Sequence, residues 1–303
     1  MFHFDAMAAL PYRYGQPTVH CRFKVEPEDF VVTEQLGYEP AEAEQSEHLW
    51  LVVKKRGQNT AWVAKQLARH FQRPEVDIGY AGLKDRHAVT TQWFSVRLAQ
   101  RERISSFVCE GVEVQRWLFS GRKLKKGELQ GNSFRIRLRE VSDSNALLAR
   151  VAEINHAGVP NYYGSQRFGH HANNLLNAQR WFLHRYRPRG KLERGLLISA
   201  MRAWLFNLQL GFMILNDNAR AAEASLAGRS RDPEPLLLQS ACAGYEEQRQ
   251  WLGRLGCSLA SRAADVCPQI ETVVEDDSVI LSFDLPAGCF ATAVLRELVI
   301  FDD

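Results

Sequence analysis

Between Ala81 and Trp93 the chain reads AGLKDRHAVTTQW. A small-residue turn leads into Lys84, Asp85, Arg86 and His87, and Thr90, Thr91 and Gln92 precede a β-like run. One carboxylate among three basic or titratable neighbours has two readings. It is a solvated turn, or it is an ionised group kept for nucleophilic or acid–base work beside a polyanion. A free aspartate, with a pKa of ~3.9, is ionised at pH 7 anyway. Burial alone raises that value, so a buried working carboxylate needs a cation beside it. Lys84, Arg86 and the distant Lys24 are the candidates.

Three further strings carry polar chemistry. EPEDF, Glu26 to Phe30, places three carboxylates on a proline turn just after Lys24. The plain reading of the acids is a solvated turn, while Phe30 is either core or a stacking surface. KLKKGELQGNSF sets Asn132, a donor and acceptor together, after a glycine in a basic loop. That suits a base edge as well as a hairpin. VPNYYGSQRFGHH holds two tyrosines, Arg167, His170 and His171 in a glycine-broken segment. Adjacent histidines point apart on regular backbone, which speaks for a structural or RNA-facing loop rather than joint metal ligation.

These residues need elements to hold them. CRFKVEPEDFVVTEQL reads as two extended segments about Pro27, and HLWLVVKK as a strand. QNTAWVAKQLARHF reads as a helix capped near Asn59 or Thr60, with Val63, Leu67 and Phe71 on one stripe. VDIGYAG and TQWFSVRL are strands on either side of the queried turn. NSFRIRLREV alternates, with Phe134, Ile136 and Leu138 inward and Arg135, Arg137 and Arg139 outward. From about Asp143 the texture turns helical, through NALLARVAEINHAG, NLLNAQRWFLHRY and a long apolar helix ending FMIL. SLAGRSRDPEPL is linker-like. Strands return in IETVVEDDSVILSFDL, with a hairpin at Asp276–Asp277, and LPAGCFATAVLREL closes the chain. The expected fold class is α+β, a helical domain inserted between strands supplied by both chain ends.

Composition narrows the function classes. The 303 residues carry a net charge of +3, but the charge is segregated. Residues 121–140 hold seven Lys/Arg against two acids, and 180–202 hold seven against Glu193 alone. The segment from Asp265 holds nine acids against Arg296. A basic face of this kind is the footprint of nucleic-acid binding or a set of solvated surfaces. No uniformly apolar run of membrane-spanning length is evident, and MFHFDAMAAL is not patterned as a signal peptide. The six cysteines lack CxxC spacing, which fits reduced thiols of a cytoplasmic protein and no metal. Phosphate-binding glycine loops and a GxSxG elbow are lacking.

In this order, VEPEDFVVTE, EHLWLVVKKRGQNT, YAGLKDRHAVTTQW, LQGNSF, VPNYYGSQRFG and LPAGCFATAVLREL resemble the TruD family of tRNA pseudouridine synthases. The resemblance runs from near residue 22 to near residue 298. It implies a pseudouridine synthase fold with a bent, mostly antiparallel sheet, from residues 1–157 and 265–303, and an inserted, mainly helical TRUD domain at 158–264. It implies isomerisation of uridine, at position 13 of tRNA, without cofactor or metal, by a monomer. Asp85 stands at the family's nucleophile and Lys24 at its basic partner. Phe30 stands at a ring that meets the target nucleotide, Asn132 at a uracil-edge contact, and Phe134 at a family phenylalanine. Phe290 stands at a ring closing the pocket. The stretch 217–239 is shorter than the family's, so the insertion is expected to be reduced. Two other functions fit the residues: a non-catalytic RNA-binding protein on this scaffold, and a hydrolase pairing Asp85 with an EPEDF carboxylate.

Overall fold

A computed structural model of the chain describes residues 10–43, 46–98, 107–216, 223–229 and 244–302. Among them the elements run β1 (His20–Phe23), β2 (Phe30–Gln35), β3 (His48–Arg56), α1 (Thr60–His70), β4 (Ile78–Tyr80), β5 (Val89–Arg97), β6 (Val112–Ser120) and β7 (Gly131–Arg139). There follow α2 (Ser144–Ala157), β8 (Val159–Pro160), α3 (Asn173–Phe182), α4 (Gly190–Leu215), β9 (Glu223–Leu226), α5 (Tyr245–Arg254), β10 (Ala260–Ala263) and β11 (Asp265–Val266). The chain ends with β12 (Glu271–Glu275), β13 (Ser278–Pro286), α6 (Ala291–Leu298) and β14 (Ile300–Phe301).

The contacts divide the chain into two compact units. The sheet unit holds Thr18–Asn155, Pro268–Gly288 and Val299–Asp303. Its strands run β12-β13-β7-β2-β5-β3-β6, with β1 joined to β7 and β14, and β4 to β5. Among its described residues only β2–β5 and β1–β14 are parallel. The mostly antiparallel α+β sheet expected from the sequence is therefore present.

Period-two patterning explains the core of this unit. Leu49 and Leu51 of β3 face the same side as their partners Val96 and Phe94 of β5, and Val53 continues the row opposite Gln92. They bury against Val63 and Leu67 of α1. Trp50 points to the other side and packs with Leu36, Leu118 and Leu124. Of the two cap candidates Asn59 and Thr60, Asn59 caps α1 by accepting a hydrogen bond from the Trp62 N–H at 2.7 Å.

The EPEDF turn departs from expectation. Asp29 is fully buried rather than solvated. Its carboxylate accepts from Arg139 Nε at 2.9 and 3.0 Å and from the Glu26 N–H at 3.0 Å. Burial works to raise the Asp29 carboxyl, but those hydrogen bonds outweigh it and hold the group below its ordinary value. The row of three outward arginines on β7 is correspondingly reduced. Arg139 is tied to Asp29, and Arg137 pairs with Glu275 at 2.7 Å.

The helical unit holds Met1–Pro17, His156–Cys267 and Cys289–Leu298. Its core gathers Leu197, Met201, Trp204, Leu205, Phe206 and Leu210 of α4 with Leu175, Tyr245, Trp251 and Leu252. By length and composition alone α4 could cross a membrane, but its apolar face is this core. The unit is larger than the 158–264 segment expected from the sequence. Leu10 joins its core, and the Arg13 N–H donates to Glu297 of α6 at 3.0 Å. Arg13 also pairs with Asp265 at 2.7 Å. Contacts more than 250 residues apart in sequence thus draw the N-terminal segment and α6 away from the sheet unit to which they were assigned. The linker-like SLAGRSRDPEPL is partly strand, since Ser225 and Leu226 pair with Ser261 and Ala260. Most of the shortened stretch 217–239 lies outside the described residues.

Asp29→Asn should cost about 1.5–3 kcal/mol of stability, the range for hydrogen bonds to a charged group. A folded-state value held below the unfolded one stabilises above the unfolded pKa and loses that effect as pH falls through the folded value. The gap between variant and native urea midpoints should therefore be full at pH 7 and shrink progressively below pH ~4.

Candidate active site

Asp85 sits in the loop of residues 81–88 that joins β4 to β5. The loop is fastened along its whole length. Gln92 donates to the Gly82 carbonyl at 3.1 Å, and the Lys84 N–H donates to Thr60 Oγ1 at 2.9 Å. Lys55 Nζ donates to the Asp85 carbonyl at 3.0 Å. Arg86 donates to the Gly57 carbonyl at 3.2 Å, and the Gly57 N–H to the Ala88 carbonyl at 3.2 Å. His87 Nε2 is a donor, because its 2.8 Å partner is the Lys24 carbonyl.

Two of the expected cations turn away from Asp85. Lys84 pairs with Glu34 at 2.5 Å, with side chains 6% and 0% exposed, and Arg86 reaches the backbone. Only Lys24, 61 positions earlier, meets the Asp85 carboxylate, at 2.9 Å. Glu34 is held further by accepting from the Trp93 N–H at 3.1 Å. The Asp85 side chain remains 57% exposed, open to an incoming ligand.

Lys24 follows β1 in the left-handed backbone region, at φ 57°. This turns its ammonium over the Phe30 ring, 4.0 Å from the centroid. Phe30 in turn lies 6.0 Å from Phe134, which stacks on Phe283 at 5.5 Å. Both Phe30 and Phe134 are mostly buried, so each serves the core as well as lining this corner. Asn132 shares the Phe134 face of β7, opposite Glu34 of β2 and Leu285 of β13. Its Oδ1 is buried with no hydrogen-bond partner among the described residues. Gly131 explains the glycine of GNSF: a Cβ there would stand 2.4 Å from the Leu285 carbonyl oxygen.

Phe290 belongs to the helical unit. Its ring lies 5.8 Å from Tyr163, with the guanidinium carbons of Arg167 and Arg262 at 5.8 and 5.9 Å. The NYYG string is structural here, since Asn207 bonds both the N–H and the carbonyl of Tyr163 at 2.9 Å. Among the described residues no group of three or more His, Cys, Asp or Glu side chains is placed to hold a metal ion.

Sequence reasoning missed Lys55, Thr60, Glu34 and Gln92 as members of this site. A signal existed. The inward rows Leu49-Leu51-Val53 and Val96-Phe94 end in Lys55, Gln92 and Thr90, all buried. An apolar row that turns polar at one end marks where a core gives way to a site.

The family model of tRNA pseudouridine synthase D (TruD) matches residues 7–178. A tRNA pseudouridine synthase D of Methylococcus capsulatus is 42% identical, covering 97% of this chain and 95% of that protein. The chain belongs to the TruD family. A second TruD relative, from Cellvibrio japonicus, is 39% identical over 97% of this chain and 94% of its own. A solved chain from Methanosarcina mazei, described as a TruD protein, shares the fold at a TM-score of 0.72 and 18% identity, covering 95% of both chains. The TruD match spans Lys24, Phe30, Asp85, Asn132 and Phe134, while Phe290 falls beyond it. The 338 positions aligned with the M. capsulatus protein exceed this chain's 303 residues, so that TruD relative carries residues absent here.

Lys84→Met should cost about 3–5 kcal/mol in urea unfolding, because it strands Glu34 as a buried unpaired charge. Adding Glu34→Gln should recover much of the loss, since an amide still accepts from the Trp93 N–H without carrying charge.

Proposed function

We propose that this protein isomerises uridine to pseudouridine in tRNA, at position 13, with Asp85 as the nucleophile. The observation that carries the reading is the half-exposed Asp85 carboxylate bound at 2.9 Å by Lys24, itself seated on Phe30. Family membership supplies the reaction class. In the reaction the C1′–N1 bond of the nucleotide breaks, the uracil turns over, and a C1′–C5 bond forms. The C5 hydrogen leaves and N1 takes up a proton, so atoms balance without a redox partner.

Each residue has a physical task in this scheme. Asp85 supplies the attacking oxygen, at C1′ or at C6 of the ring. Lys24 orients that oxygen and offsets its charge beside a phosphate backbone. The base must leave its stack, which costs a few kcal/mol. Stacking on aromatic rings returns about 1–3 kcal/mol per base, and Phe30, Phe134 and Phe290 are the rings assigned to this. Asn132 offers its unpartnered Oδ1 and its amide donors to the uracil edge. A monomeric state belongs to the same reading. Lys125 and Lys126, both exposed, and Arg185, Arg187, Arg189 and Lys191 are assigned to tRNA phosphates.

With tRNA tritiated at uridine C5, the native protein should release tritium to water. Asp85→Asn should bring release to background while tRNA binding persists; release at a near-native rate removes Asp85 from the chemistry. Release of free uracil instead of pseudouridine would favour a hydrolase, and binding without product a non-catalytic RNA binder. Replacing Lys125 and Lys126 with Ala should weaken tRNA binding. It should also lower the slope of log K against log salt by roughly 0.7–0.9 per lost phosphate contact. An unchanged slope places the tRNA elsewhere.

A further inference from the structure

Lys55 is a lysine where packing alone calls for an apolar residue. It continues the inward row of Leu49, Leu51 and Val53 on β3, and only 1% of it is exposed. Burying an ammonium costs several kcal/mol unless it is paired and hydrogen-bonded. Among the described residues Lys55 forms no ion pair within 4.0 Å, and its Nζ donates to two backbone carbonyls, Gln58 at 2.6 Å and Asp85 at 3.0 Å. A methionine would fill the same row without that cost.

We infer that Lys55 is a positioning residue for the isomerisation: its buried ammonium ties the Gln58 turn to the Asp85 backbone and fixes the line along which the carboxylate meets the nucleotide. This inference rests on Asp85 being the nucleophile. Misplacing a reacting group by about 1 Å can cost on the order of 10²-fold in rate. The opposite end of Asp85 is held by Lys24, so the residue is gripped at both its carbonyl and its carboxylate.

The charged groups facing this ammonium are Asp85 and Lys84, both from the 81–88 loop. Its ladder partners, Thr90 of β5 and Val112 of β6, are uncharged, as is Thr60 at the start of α1. Burial pushes Lys55 down from 10.5 to about 8, with Asp85 pulling up and Lys84 pushing down. Above that value the grip changes from charge-assisted to neutral hydrogen bonds, which are roughly half as strong. Stability responds in the opposite sense. Between about 8 and 10.5 the unfolded chain binds the extra proton, so the contribution of Lys55 to stability rises with pH. A group serving only the fold would not lower turnover as it strengthens the fold.

The test measures kcat and KM for tritium release, with thermal midpoints, for the native protein and Lys55→Met between pH 6.5 and 9. Support is a folded K55M with KM within about threefold of native, kcat lower by about 10²-fold, and no fall in kcat near pH 8 where the native protein shows one. A folded K55M whose kcat stays within threefold of native overturns the inference, as does a fall near pH 8 that persists in K55M. Should K55M not fold, Lys55→Arg decides, because a guanidinium stays charged across this range: loss of the native fall in kcat near pH 8 supports the role of Lys55, and a fall that persists overturns it. If the native protein releases no tritium at any pH, the parent reading and this inference fall together.

Discussion

A buried ion pair between Lys84 and Glu34 is the constraint on which the candidate site depends. Two charges removed from water tolerate little displacement, because any separation leaves each uncompensated in a poor solvent. That fixes Lys84 against β2, and Asp85, the next residue, inherits its place. The Lys24–Asp85 bridge, to which the proposed chemistry is assigned, is half exposed and contributes little to stability itself, as surface pairs generally do. The geometry of the exposed pair is thus maintained by the hidden one. Thr60, Gln92 and Lys55 extend the arrangement, so that a loop without regular hydrogen bonding of its own is anchored at nearly every residue.

Much of this was legible in the chain. The cap at Asn59, the alternation through Phe134, Ile136 and Leu138, and the hairpin at Asp276–Asp277 follow from local rules, and the structure has them. The lone carboxylate of GLKDRHA was recognisable, with Lys24 as one of three candidate partners. What the sequence could not assign was which cation goes to which acid. Lys84 is adjacent to Asp85 and yet pairs with Glu34, fifty residues earlier: Thr33 of β2 lies opposite Thr91 of β5, and the 81–88 loop folds back so that Gln92 bonds the Gly82 carbonyl. Asp29 and Arg139 are the same case across 110 residues. The assignment of the N-terminal segment and α6 to the helical unit likewise rests on contacts between Arg13 and Glu297 that no local pattern encodes.

Charge counting along the chain overstates the basic surface. Arg137 and Arg139 are committed to acids, and Arg122 to Glu128, whose carboxyl is drawn down to about 2 chiefly by that hydrogen bond. Arg202 spends its guanidinium on the carbonyls of Leu226, Ala227 and Ser258, and Arg194 on that of Leu255. These side chains cap strand and helix ends within their own units. Within the two basic segments, the cations free of such commitments are fewer than the counts suggest.

The left-handed backbone at Lys24 sets a compromise within a single residue. A side chain held there forfeits about 1–3 kcal/mol relative to a relaxed conformation, and glycine alone escapes that penalty. Glycine, however, has no ammonium to offer. A relaxed backbone and the Asp85 bridge therefore make opposite demands on one residue, and the lysine keeps the bridge.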